Sequence, residues 1–188
     1  MDTMNMSRLF RRLIPGDRFT AAFVLGLALV AAGAPGPESF GILSAQAPNP
    51  CALLTLDEIK PVASNQSVAD GVPNTIPAVG YAGCRYVWGE GVGRFTLEVT
   101  INDSSRMFTG MSPDQIKQQL LASVRAGTND AVIPEIGQAA VFRPDSPVYA
   151  TATALVKGQL LRVHLDGLFA GEKKDQVVEL LKSAAARL

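Results

Sequence analysis

The chain has 188 residues, enough for one ordinary domain with a leader and short for two. Lysine plus arginine (17) balance aspartate plus glutamate (17), and charged residues make up only 18% of the sequence. Zero net charge removes the electrostatic drive on which nucleic-acid binding depends, so no nucleic-acid partner is expected.

Residues 1–34 read as a signal peptide or an N-terminal membrane anchor. Arg8, Arg11, Arg12 and Arg18 precede an uncharged apolar run from Phe19 to Ala34, the order of a positive n-region and an apolar h-region. Small residues suited to cleavage stand at Ala31 and Gly33, and again at Ala45 and Ala47, where Pro48 is a handicap. The rival reading is an uncut anchor, although 16 residues fall short of the roughly 20 that span a bilayer. Both readings keep the Arg-rich end inside and export the remainder of the chain to the periplasm or cell envelope, and membrane contact is expected only through residues 19–34 of an uncut leader. Residues 35–50 are a Pro-rich linker, with Pro35, Pro37, Pro48 and Pro50 and no sustained periodicity.

Residues 51–188 then form a single domain. Its two cysteines, Cys51 and Cys84, are the only ones in the chain, and an even pair in an exported protein predicts a disulfide. The bond would close a loop of about 34 residues, worth roughly 4 kcal/mol in the chain-entropy account. Two cysteines and one histidine without paired spacing make a poor zinc set, so no metal and no cofactor is expected.

Thr55 and Glu58 form a capping box that predicts a short helix over 56–59, ended near Pro61. Residues 64–83 suggest irregular chain with one short strand at 66–69. Residues 84–88 are rich in β-formers, and Gly89, Gly91 and Gly93 punctuate a turn. From Arg94 to Ile101 the pattern alternates: Phe95, Leu97, Val99 and Ile101 point one way, and Arg94, Thr96, Glu98 and Thr100 the other. Ser112, Pro113 and Gln115 open a helix whose stripe is Ile116, Leu120 and Val124, ending at Gly127. Strands follow near 138–142, 149–156 and 160–165, the last two joined by a tight turn at Lys157 and Gly158. Residues 172–188 place Val177, Leu181, Ala184 and Leu188 on one face of a closing helix.

The architecture expected is α+β: an antiparallel β-sheet with helices packed on one face, the other face left wet. Two three-strand-then-helix runs, 83–126 and 138–188, raise the alternative of a degenerate βββα duplication. The sheet core expected is Phe95, Leu97, Val99, Ile101, Leu161 and Val163, beneath Leu120, Val124, Val177 and Leu181. Tyr86 and Trp88 share a strand face with Cys84 and are expected to pack against the disulfide.

His164, the only histidine, alternates with Leu161, Val163 and Leu165 and so falls beside Arg162 on the wet face. No serine elbow, metal motif or phosphate loop accompanies it, and the run from Gly89 to Gly93 joins two strands rather than a strand and a helix. No catalytic residue is therefore expected. The candidate interaction face is Arg94, Glu98, Arg162 and His164, a mixed-charge surface suited to a protein partner.

The residues from Cys51 to Glu58, from Cys84 to Trp88 and from Ile136 to Phe142, with a closing helix ending Arg187–Leu188, resemble the DUF3558-like exported bacterial domains. Their layout runs C-x-L-L-T-x-x-E, then C-x-W, and the likeness covers about residues 51–188. It implies an envelope location and an α+β fold, and brings no catalytic residues; the chain departs from the lipoprotein members in lacking a lipobox cysteine. The function expected is a non-enzymatic exported binding or interaction domain of the bacterial cell envelope, with another envelope protein as partner. The alternative is a membrane-anchored structural accessory subunit of an envelope membrane complex.

Overall fold

The computed structural model of the protein describes residues 49–188; the leader and nearly all of the Pro-rich linker lie outside them. Strands β1 (Val72–Ile76), β2 (Tyr81–Trp88) and β3 (Phe95–Asp103) make one antiparallel meander. Strands β5 (Ala139–Ser146), β6 (Tyr149–Val156) and β7 (Gln159–Asp166) make a second. The two meet antiparallel through β3 and β7, and the two-residue β4 (Ala131–Val132) pairs with the outer edge of β5. The result is one seven-stranded antiparallel sheet of order β1-β2-β3-β7-β6-β5-β4, with helices α1 (Leu56–Ile59), α2 (Ser104–Met107), α3 (Pro113–Ala122) and α4 (Lys174–Arg187). The fold is α+β.

Register decides which side chains share a face, since alternate residues along a strand point to opposite sides. Cys84, Val99, Val163, Ala152 and Phe142 form one row straight across five strands, and Ala82, Ile101, Leu161, Ala154 and Ala140 the next. All are buried. Against them pack Val177, Leu180, Leu181 and Ala184 of α4, together with Leu53, Leu54, Ile59 and Val62 from the N-terminal segment. Ala150, Ala152 and Ala154 have no accessible surface, and their small side chains let α4 lie close over β6 and β7. Of the core strand residues expected, only Phe95 is partly exposed. Its ring stacks on that of Trp88 at 5.6 Å.

The N-terminal segment is clasped at three points. Cys51 and Cys84 are bonded, with Cα atoms 5.0 Å apart. The Tyr86 hydroxyl lies 3.3 Å from the carbonyl oxygens of both Cys51 and Leu54. Thr55 and Glu58 close the capping box, and the Arg187 guanidinium donates to both Glu58 carboxylate oxygens (2.8 and 2.9 Å) and to the Leu53 carbonyl (2.7 Å). Tyr86, rather than Trp88, stands two residues after Cys84, so the chain departs from a C-x-W spacing there.

Helix placement corrects the sequence reading. α3 does not join α4; Ile116 packs with Leu155 and Leu160 on the opposite face, flanked by Phe108, Met111 and Leu120. The cause is topological. The chain leaves β3 at mid-sheet and must reach β4 beyond β5, so it crosses β7, β6 and β5, and α4 already covers one face there. The helix also stops at Ser123, before Val124 and Gly127.

Three other local expectations shift. No strand forms at 66–69; β1 begins at Val72 and contains Pro73, tolerable because β1 is an edge strand paired only with β2. β5 runs on past Phe142 to Ser146. Between β3 and α3 lies the short α2, capped by Asp103 accepting from the Ser105 N–H. The β6–β7 turn agrees with expectation, with Lys157 (φ 48°) and Gly158 (φ 77°) both in the left-handed region that such two-residue turns need.

Candidate functional site: the polar sheet face and the groove under α3

The face opposite α4 carries the polar alternates. One row across five strands reads Arg85, Glu98, His164, Thr151, Arg143; the next reads Gly83, Thr100, Arg162, Thr153, Val141. Three of the four expected interaction residues therefore meet: Glu98 is directly opposite His164, and Arg162 lies one alternation along on β7. Arg94 is exposed just before β3, outside the paired ladder.

Hydrogen bonds knit this row. The Tyr81 hydroxyl donates to Glu98 Oε1 (2.9 Å). On the far side of Glu98's neighbour, His164 Nδ1 is 2.9 Å from Thr151 Oγ1, which is 3.2 Å from Asp145 Oδ2. Arg143 Nη2 donates to Asp145 Oδ1 at 3.3 Å. Thr151 has a single hydroxyl proton, which goes to Asp145 or to His164 Nδ1 according to the ring tautomer.

His164 is half buried and stacked on the Tyr149 ring at 5.8 Å, not freely solvated as a wet face implied. Burial holds its pKa below the ordinary 6.5, only partly opposed by Asp166 and Glu98. Tyr81 is pushed up to about 12, first by burial and then by its bond to Glu98, whose charge disfavours a phenolate.

Where α2 and α3 pass over β5–β7, a groove of about 410 Å³ remains. Its floor includes Arg143, Thr151, Thr153, Arg162 and His164, and its wall Phe108, Ile116 and Leu120. Arg143 Nε is buried in it without an acceptor. Sequence reasoning missed Tyr81, Arg143, Asp145 and Thr151. The alternation of β6 already grouped Thr151 with Thr153, but nothing in the sequence tells which residue of β7 stands opposite.

Among the described residues no cluster of three or more His, Cys, Asp or Glu could hold a metal ion, and no helix is long and apolar enough to cross a membrane. Comparison with protein-family models, with curated proteins and with solved structures finds no match.

Proposed function

We propose that the protein is a non-enzymatic binding domain of the bacterial cell envelope, exported by residues 1–34, that engages another envelope protein through its polar sheet face. The observation that carries this reading is the row Arg85, Glu98, His164 with Arg162 beside it: charges of both signs, in fixed register, on β2, β3 and β7. Alternating charge suits a protein partner because complementary potentials set specificity and encounter rate. The Cys51–Cys84 bond supports an oxidising compartment. Kinship with the DUF3558-like domains belongs to the same proposal.

The test is capture from the envelope fraction of the native host with the wild-type chain and with Glu98→Lys and Arg162→Glu. Both reversals should lose the co-purifying protein while the thermal melt stays close to wild type. Retention of the same partner by both variants would overturn the reading.

A further inference from the structure

The groove under α3 has a donor excess that the protein itself leaves unanswered. Two guanidinium groups, those of Arg143 and Arg162, line it. Arg143 spends one Nη2–H on Asp145, and its Nε–H is enclosed without an acceptor. Arg162 enters no ion pair among the described residues. Between them in register stand Thr151 and Thr153 on β6, with Thr153 directly opposite Arg162 and Thr151 directly opposite Arg143. The Nε is enclosed by the protein itself, so the donors a ligand oxygen can meet in the groove are the terminal guanidinium N–H groups of Arg143 and Arg162, which make charge-assisted, forked hydrogen bonds.

Charge and shape narrow the ligand further. Two arginines against the one carboxylate of Asp145 leave a single positive charge in excess over the groove floor. A phosphate monoester brings about −1.5 to −2 charges near pH 7 and would set its surplus against Asp145. One carboxylate matches the excess, and its two oxygens fit a guanidinium fork. The opposite wall is apolar, made by Phe108, Ile116 and Leu120, and the volume is that of a small-molecule site.

We infer that the groove between α3 and strands β5–β7 is a binding site for a small monocarboxylate with an apolar body. The carboxylate lies over Thr153 between Arg143 and Arg162, and the body lies against Phe108, Ile116 and Leu120. The inference goes beyond the partner-binding reading: the two share Arg162, but Glu98, on which that reading also rests, does not line the groove.

The experiment titrates the full chain, disulfide formed, with octanoate, 1-octanol and octyl phosphate by calorimetry, and monitors wild-type amide resonances in parallel. Octanoate should bind at one site and shift the amides of Thr151, Thr153 and Arg162. Octanol, which lacks the charge, should bind at least ten-fold more weakly, and octyl phosphate no better than octanoate. Arg143→Lys keeps the charge and removes the planar fork, and should weaken octanoate about ten-fold. Leu120→Trp should fill the groove and abolish binding, while Val92→Ser, exposed between β2 and β3, should leave it unchanged. Absence of octanoate binding, equal binding of octanol, tighter binding of octyl phosphate, an Arg143→Lys affinity equal to wild type, or amide shifts away from the groove would each overturn the inference. The wild-type amide map decides the matter even if a variant fails to fold.

Discussion

Replacing Arg187 with Met isolates the clasp that ties the end of α4 to the N-terminal segment. In the native protein its guanidinium makes a two-pronged contact with Glu58 and a third bond to the Leu53 carbonyl, while Glu58 still caps the Thr55 N–H at 2.8 Å. Arg187 is the first cause that carries the Glu58 carboxyl from an ordinary 4.5 down to about 2. A shift of that size corresponds to roughly 3 kcal/mol. The Glu58 side chain is 26% exposed and that of Arg187 39%, so solvent screening reduces the contribution to about 1–2 kcal/mol. For a domain of this size the melting temperature should fall by about 3–8 °C. The pH dependence gives the sharper test. Because the folded pKa is depressed, the unfolded chain takes up the proton first as pH drops; the contribution is complete above about 4.5 and disappears as pH approaches 2. Urea unfolding of wild type and Arg187→Met across pH 6 to 2.5 should show a gap that closes in that window. A gap that stays constant, or widens towards acid, would refute the ion-pair account and leave only packing of the arginine stem.

The disulfide joins residues 33 apart, and its loss should cost about 4 kcal/mol. Urea melts with and without reductant should therefore differ for wild type and coincide for Cys51→Ser, and a wild-type melt indifferent to reductant would defeat the claim. His164 should titrate below 6.5 by NMR, because burial disfavours its cation, and Tyr149→Ala should raise the midpoint by opening the ring to water. Since the unfolded chain protonates first, His164 should lower stability as pH falls below 6.5; a midpoint above 6.5 would contradict the enclosed environment.

Periodicity made the central strands legible because β3 and β7 bury one face, Phe95 aside, and leave the other polar and mostly part-exposed, with Thr100 and Leu160 covered, a condition under which alternation is strong. β1 was not legible for the opposite reason: every residue from Val72 to Ile76 is exposed, so no burial pattern was written into it, and Pro73 reads as a breaker. The ends of α1, α3 and the β6–β7 turn carry local chemistry (two capping boxes and a left-handed pair), and that chemistry is visible within a few residues. The site was half legible. Glu98, Arg162 and His164 share a face by parity alone, but the company they keep depends on strand order. Nothing local to residues 104–138 says that the chain will cross to the far edge and bring Arg143 and Thr151 beside His164.

That crossing also explains where the likeness of the two halves of the sheet stops. The six long strands fall into two meanders, β1–β2–β3 and β5–β6–β7, facing each other through β3 and β7, and each innermost strand feeds a helix. After β7 the chain has only to end, so α4 folds back over the three buried alanines of β6. After β3 it must travel to the outer edge of the second meander, a width of roughly 14 Å for three strands. A ten-residue helix is about 15 Å long. One such helix spans that half of the sheet and leaves β1–β3 bare, which keeps the surface around Arg85 and Glu98 open. It also cannot seal what it crosses. Ile116 finds an apolar footing on Leu155 and Leu160, which flank the β6–β7 turn. Further along the same strands the sheet offers Arg162, His164 and, on β5, Arg143, and there the groove opens between the sheet and the connection. The groove is therefore a consequence of routing. A helix that had matched the symmetry of the sheet would have joined α4 on the apolar face, and no groove would stand over Arg143, Thr153 and Arg162.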